Sequence, residues 1–404
     1  MTPLDPAALA RMQLQRDKAA TRKFPGLFEH KLERMSASPL AFLRGAAPLF
    51  YEILKSRPEL GKGPAGKGWL TGDMHLENFG AYRPDPHSFP GGRSGDTPDA
   101  TFDLNDFDDA VVGPFYFDVL RLATSLILGG RELGADGVRT IGLCEKLLEA
   151  HGKGLSGRFP VGPPPAPVAA LVRQVSQRPQ IELLDARTKG HGDGRRFTLG
   201  DRYKKLEGAI VRGVQSAFSA YVASLPAVDR DVGADHFEVI DAARRVAGTG
   251  SLGSVRIAVL TQGKGGHDGQ WVFDLKEQGV PSAALLVGTP RMDPALRVVT
   301  AARACLAHPP RMLGTTHLSR IPLFGRRIAP QEDKLDLTRV AHEDLEPLTT
   351  CLGSLLGRAH RRGAAMLPKK PWTDGERAQL VDHAITLAGL HEAVYLALCK
   401  EMGR

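Results

Sequence analysis

Residues 71–80 read "TGDMHLENFG", a run in which Asp73, His75, Glu77 and Asn78 are crowded between Gly72 and Gly80. The preceding "WLTGD" reads as a short strand, so the polar run is the loop that leaves its end. On such a loop a carboxylate and a carboxamide five residues apart can converge on one phosphate–metal centre. Asp73 would accept a proton from a nucleophilic hydroxyl, and Asn78 would bind a divalent ion through its amide oxygen. The competing reading is a turn stabilised by Asp and Asn side chains.

A second polar run, "FDLNDFDDAVVGP" at 102–114, sharpens the first. Asp103, Asp106, Asp108 and Asp109 repel one another unless cations or donors offset them. Hard divalent ions prefer such oxygen clusters, and magnesium takes one or two carboxylates together with phosphates. The apolar neighbours Phe102, Leu104, Phe107, Ala110 and Val111 argue against a solvated acidic turn. The carboxylates of this run, Asp106 and Asp108 among them, are therefore candidates for metal binding together with the first stretch.

Two further elements lie far downstream. In "AGTGSLGSVRIAVL", Gly248, Gly250 and Gly253 form G-x-G-x-x-G, with Ser251 and Leu252 at the tip. The motif sits between two expected strands, which disfavours a dinucleotide fingerprint and suits a glycine-rich hairpin over phosphates. In "WVFDLKEQ", a strand places Trp271, Phe273 and Leu275 on one face and Val272, Asp274 and Lys276 on the other. With the apolar face buried, Lys276 would point toward α/β-phosphates.

Together these four elements resemble the protein-kinase-like and aminoglycoside phosphotransferase superfamily, whose "HGDxHxxN" loop is followed by an "IDFxDA…G" metal loop and a helix beginning with Asp. The resemblance implies that Asp73 is the catalytic Asp, that Asn78 and Asp106 hold magnesium, that Asp118 is the structural Asp, and that His75 braces the catalytic loop. Thr71 stands where that family has its leading His. More narrowly, "SPLAFLRGAA", "GDMHLENFG", "FDLNDFDDAVVGPFYFDVLRLATS", "GSLGSVRIAVL" and "DLKEQ" resemble, in that order, the bacterial family called domain of unknown function 2252.

The motif order departs from an ordinary kinase, because Gly248 and Lys276 follow Asp73 and Asp106. The expectation is an α+β, two-lobed, protein-kinase-like fold, circularly permuted. A helical catalytic lobe would span 1–235, a β-rich nucleotide-binding lobe 236–335, and returning helices 336–404. "MDPALRVVTAARACLA" lacks the helix Glu with which kinases pair the strand lysine. Lys276 would pair with Asp293, with a carboxylate from elsewhere, or with phosphate alone. "IAPQEDKLDL" is a candidate hinge, with backbone near Gln331 and Glu332 against the adenine.

Composition sets the frame. The 404 residues are 42% hydrophobic and 24% charged, with net charge +8, a balance that favours anionic partners such as nucleotides. Cys144, Cys305, Cys351 and Cys399 are too scattered for a zinc site or a disulfide framework. No segment has the roughly 18 uninterrupted apolar residues of a membrane span. The N-terminal "MTPLDPAALARMQLQRDKAATRKF" lacks a signal-peptide apolar core, so a cytoplasmic protein is expected. Residues 1–35 read as charged and helical, with the first part loosely held. "SASPLAFLRGAAPLFYEILKSRPELG" reads as a helix capped by Ser38 with Pro39 in its first turn. A Pro- and Gly-rich loop follows over 83–100, a helix from about Phe115 to Gly129-Gly130, and a second break at "GRFPVGPPPAPV".

The reading that these features support is an ATP- and magnesium-dependent phosphotransferase acting on an unidentified small-molecule or protein acceptor. Nucleotidyl transfer on the same lobes and a nucleotide-binding pseudokinase-like regulator are the alternatives. A binuclear metallophosphoesterase would need further His-bearing segments that do not occur. The basic residues Arg187, Lys189, Arg195 and Arg196 suit a solvated loop or a substrate rim as well as nucleic acid, which is not an expected partner.

Overall fold

The computed structural model describes residues 4–89, 98–130, 132–158 and 162–403. Residues 90–97 of the loop expected over 83–100, and residues 159–161 of the second break, lie outside the described residues. The chain is a mixture of helix and sheet, as an α+β protein should be. Among the described residues no helix is long and apolar enough to cross a membrane.

Local chemistry accounts for the helix boundaries. Ser38 accepts a hydrogen bond from the Ala41 amide at 3.1 Å and caps the helix Pro39–Gly45. The single helix expected from that point is two helices. Ala46 leaves the helical region (φ −125°, ψ 42°), and a second helix runs Ala47–Ser56. Pro48 is the reason: inside a helix its ring clashes with the carbonyl four residues back and removes a hydrogen bond, whereas a first turn tolerates it.

The N-terminal arm also departs from expectation. Its helices, Pro6–Ala20 and Leu27–Met35, are held in place, because Asp17 and Lys31 are buried and paired at 2.6 Å and the first helix packs along Asp374–Glu401. Asp5 caps the first helix, accepting from the Ala7 amide at 2.9 Å.

The 28-residue helix Asp374–Glu401 packs against Tyr116–Gly129 and, with Leu345–Arg362 and Gly137–Leu155, encloses the main apolar core. His391 sits fully buried in this core, stacked on Phe50 at 5.9 Å and edge-on to Phe42, and neither ring nitrogen has a partner. Burial, reinforced by the Arg121 charge, pushes its pKa down to about 3. The unfolded chain binds a proton on this ring near pH 6.5, so stability is lost as pH falls from about 6.5 toward 3, by about 1.4 kcal/mol per unit. His391→Phe keeps an aromatic ring and removes the titration. The variant should gain more in Tm over wild type at about pH 5 than at about pH 8. Equal gains at both would exclude the assignment.

The β-rich unit is a six-stranded antiparallel sheet in the order Gly314–Leu318, Ile321–Ile328, Trp271–Glu277, Arg256–Thr261, Val239–Arg245 and Tyr203–Lys204. Alternation sorts its two faces. Trp271, Phe273 and Leu275 pack with Phe218 and Tyr221 of the covering helix Gly208–Ser224. Val272, Ala258 and Leu260 pack on the other side with Leu184 and Phe197. Tyr203–Lys204 and the covering helix both come from upstream of residue 236.

Two three-stranded sheets make the junction. Lys67–Leu70 pairs with Val111–Pro114 and with Ala364–Met366, while Phe79–Tyr82 pairs with Thr101–Leu104 and with Asp333–Lys334. Because strand 67–70 pairs with 111–114 and strand 79–82 with 101–104, the loops 71–78 and 105–110 must face each other. The chain leaving the six-stranded sheet at Ile328 enters this junction at Asp333, so the segment expected to be a hinge does join the two parts.

Candidate functional site

The loop 71–78 is held from below by Asp118, the third residue of helix Tyr116–Gly129. Its fully buried carboxylate accepts from the Thr71 amide at 2.7 Å, the Gly72 amide at 3.0 Å and the Thr71 hydroxyl at 3.1 Å. His360 Nε2 lies 3.3 Å away and stacks on Phe115, and its Nδ1 is 2.9 Å from His151 Nε2. Gly72 adopts φ 79°, and a Cβ there would lie 2.0 Å from the Asp109 carbonyl oxygen. Only glycine permits both the conformation and the approach of the two loops.

Asp73 projects into the cavity with its side chain about a quarter exposed (24%). Arg121, fully buried on the helix below, donates through Nε to Asp73 Oδ1 at 2.8 Å and through NH2 to the same oxygen and to the Leu43 carbonyl. Burial pushes the Asp73 carboxyl up to about 7. Arg121 opposes the shift, and the carboxylates of Asp109 and Asp106 add to it. A carboxyl that titrates near neutrality suits a general base.

His75 is buried and held neutral, its pKa driven well down by burial and by the Arg44 charge. Its Nδ1 accepts the Glu77 amide at 3.2 Å, so it braces the loop. Asn78 Nδ2 donates to the Asp73 carbonyl at 2.6 Å, so its Oδ1 is the side-chain atom that could bind a cation.

The four acidic residues of the second loop have separate surroundings. Asp106 accepts the Asp108 amide at 3.2 Å and lines the cavity. Asp108 accepts from Lys276 Nζ and, at 2.9 Å, from Gln278. Asp109 accepts from the Ser282 amide at 3.0 Å and its hydroxyl at 2.7 Å. Asp103 lies 3.5 Å from Arg362. The buried Arg297 donates to the carbonyls of Asp108, Ala110 and Gly279, fastening this loop to the end of the lysine strand.

The β-rich unit supplies the facing wall. Gly248, Gly250 and Ser251 line the cavity, while Leu252 is buried beneath the loop. Gly253 (φ 101°) passes so close to the first helix that a Cβ would lie 2.4 Å from the Ala20 carbonyl oxygen. Lys276 lies beside Arg245, Arg256 and Arg326. Asp274 accepts from Arg245 at 2.7 Å and Arg256 at 2.8 Å. Burial disfavours its ionisation, yet these two arginines hold its carboxyl well below the ordinary carboxylate range. Glu332 accepts from Arg326 at 2.7 Å. Asp274 and Glu332 thus hold three of these four cations, and the fourth, Lys276, faces Asp108.

The structure therefore brings Asp73, His75, Asn78, Asp106, Asp108, Gly248, Gly250, Ser251 and Lys276 around one cavity of about 670 Å³. Such a volume accommodates a nucleotide-sized ligand. Of the partners considered for Lys276, the one found is a carboxylate from elsewhere, Asp108. Asp293 instead caps helix Pro294–Cys305, accepting from Ala295 and Leu296 at 3.0 Å, and lies 3.0 Å from His317. In the hinge, Glu332 and Lys334 line the cavity, whereas Gln331 donates away from it, to the Arg178 carbonyl. Arg195 is fully buried on Asp185 and Thr188, a structural role within its own loop.

Among the described residues no three Asp, Glu, His or Cys side chains form a ready ligand cluster. Asn78 and Asp106 nevertheless fit magnesium, which completes its shell with phosphate and water, and the crowding of Asp73, Asp106 and Asp109 is of the sign that a cation relieves. The residues that sequence reasoning missed are Arg121, Gln278 and Arg297. Arg121 left a faint signal, a lone charge one turn past Asp118 in an apolar helix.

The family model described as "Uncharacterized protein conserved in bacteria (DUF2252)" matches residues 22–157 and 165–401. No curated protein and no solved structure matches the chain.

Proposed function

The chain belongs to the bacterial DUF2252 family, and on that premise we propose that it is a cytoplasmic, ATP- and magnesium-dependent phosphotransferase with a circularly permuted kinase-like architecture. The observation that carries this reading is the convergence of Asp73, Asn78 and Asp106 with Lys276 and the Gly248–Ser251 loop on one cavity, from segments some two hundred residues apart.

Asp73 takes the proton of the acceptor hydroxyl as its oxygen bonds to the γ-phosphorus. The bond from that phosphorus to the β–γ bridging oxygen breaks, ADP leaves, and the proton passes from Asp73 to solvent. Lys276 and the backbone of the glycine-rich loop hold the phosphates. Magnesium, held by Asn78 and Asp106, would neutralise charge on the phosphate oxygens. Asp108 supplies Lys276 with the carboxylate that helix Pro294–Cys305 lacks.

ATP with magnesium should raise the Tm of the wild type. Asp106→Ala should remove most of the magnesium-dependent part, and Lys276→Met should weaken nucleotide binding about tenfold, or 1.4 kcal/mol. A wild type that no nucleotide stabilises would sink the proposal. Nucleotidyl transfer predicts label moving from the α- rather than the γ-phosphate. A pseudokinase-like regulator is favoured by one observation, the engagement of Lys276 by Asp108, and predicts binding with no label transferred.

A further inference from the structure

We propose that the N-terminal arm, residues 6–35, is the positioning element of the glycine-rich loop. Arg34 and Lys31 hold the carbonyls of Gly248 and Gly250 and so fix the shape of the loop over the cavity. The inference rests on the phosphotransferase reading for what the loop binds, but not for the hold of the arm on the loop.

A loop with glycine at 248, 250 and 253 orders poorly by itself, because glycine gives up more conformational freedom on folding than any other residue. Its internal bonds are weak. The Leu252 amide donates to the Thr249 carbonyl at 3.3 Å, and the Ser254 amide to the Ser251 carbonyl at 3.2 Å. Firmer support comes from the arm. Arg34 donates to the Gly248 carbonyl, and Lys31 Nζ to the Gly250 carbonyl at 3.4 Å. Ala20 backs directly onto Gly253. At the base of the loop, Glu277 accepts from the Val255 amide at 2.6 Å and from Lys23 at 2.8 Å. Phe24 lies under the guanidinium of Arg244, 4.1 Å away, on the strand that leads into the loop.

These contacts have a direction. The carbonyls of Gly248 and Gly250 are bonded to the arm, while the amides of Gly248, Gly250 and Ser251 have no acceptor among the described residues. All three residues line the cavity. Successive unbonded amides in such a turn suit an anion of the phosphate kind. The arm is itself held. Lys31 is buried and paired with Asp17 at 2.6 Å, Asp17 accepts from Gln13 Nε2 at 3.0 Å, and the first helix packs along Asp374–Glu401. The buried pair gives Lys31 one position, so its reach to Gly250 is set before any ligand arrives. A loop ordered in advance lowers the entropic cost of binding. Arg34 and Lys31 are therefore positioning residues, acting on phosphate through the loop.

The test uses the full chain. Arg34 forms no ion pair among the described residues, so Arg34→Met breaks the Gly248 contact without breaking a salt bridge. In the ligand-free protein, amide exchange over residues 248–255 should quicken about tenfold in this variant, while helix Tyr116–Gly129 keeps its protection. Calorimetry should show ATP–magnesium binding the variant about tenfold more weakly. Arg34→Lys, which keeps a cation for the carbonyl, should lose less than about threefold. Should Arg34→Met fail to fold by circular dichroism, Lys23→Met, which releases Glu277 at the base of the loop, takes its place with the same expectations and Lys23→Arg as its conservative counterpart. The inference is overturned if loop exchange matches the wild type, if protection falls equally in helix Tyr116–Gly129, if a loosened loop binds ATP–magnesium as the wild type does, or if the conservative variant is as weak as the methionine one. A wild type that binds no ATP, with loop exchange still responding to Arg34→Met, would sustain the arm's hold on the loop and remove the phosphotransferase reading.

Discussion

Asp118→Ala is expected to lower unfolding stability by about 3–5 kcal/mol, among the largest effects of any single polar substitution in the chain. Asp118 is fully enclosed and accepts from two consecutive backbone amides, Thr71 and Gly72, from the Thr71 hydroxyl, and faces His360. Alanine leaves those amides in the interior with no acceptor, at about 1–3 kcal/mol each, and the cavity it opens is too enclosed for bulk water to replace the carboxylate. Asp118→Asn retains one acceptor oxygen and should lose about half as much. Urea unfolding of both variants measures the difference. A loss below about 1 kcal/mol for the alanine variant would show that the turn at Thr71–Gly72 is held by something other than this carboxylate.

That turn shows how much of the site was legible in the sequence and where legibility stopped. The short-range signals carried through. Ser38 and Pro39 start a helix, and the alternation in "WVFDLKEQ" sorts Lys276 onto the cavity side. Each depends on chemistry within a few residues of the feature. The two polar runs of Asp73, Asn78 and Asp106 were visible in the sequence, and in the fold the strand before each run pairs with the strand after the other, 67–70 with 111–114 and 101–104 with 79–82.

What did not show were partners fixed only by tertiary packing. Lys276 has no helix Glu in its neighbourhood, and nothing local says that Asp108, 168 residues earlier, takes that place. The first part of the arm was expected to be loosely held because residues 1–35 are rich in charge. Instead the first helix packs along a 28-residue helix from the other end of the chain, and Asp17 is buried in pairing with Lys31 and Gln13. The break at Ala46 was readable from Pro48, but the apolar pattern on either side masked it.

Asp73→Asn is expected to reduce phosphoryl transfer about 10²–10⁴-fold while leaving the ATP–magnesium Tm shift in place, since the carboxamide cannot take the acceptor's proton. Wild-type transfer should rise with pH through about 7 as the Asp73 carboxyl ionises. The stability of the same variant carries a second signature. In the unfolded chain Asp73 titrates near 3.8, and folding raises it to about 7, so the folded protein holds a proton that the unfolded chain has released. Its contribution is fully present below about 3.8 and is lost as pH rises through about 7. Wild-type stability should therefore fall relative to Asp73→Asn across that interval, and the gap should be constant above it. Below about 7 the protonated Asp73 carboxyl, like asparagine, leaves the buried Arg121 cation without a carboxylate, so the pH-dependent part of the gap reports the Asp73 titration alone. Unfolding measured for both proteins across the interval reads it out. A variant that keeps more than about a tenth of wild-type transfer would remove Asp73 from the role of base, and a gap that does not vary with pH would place its ionisation outside the neutral range.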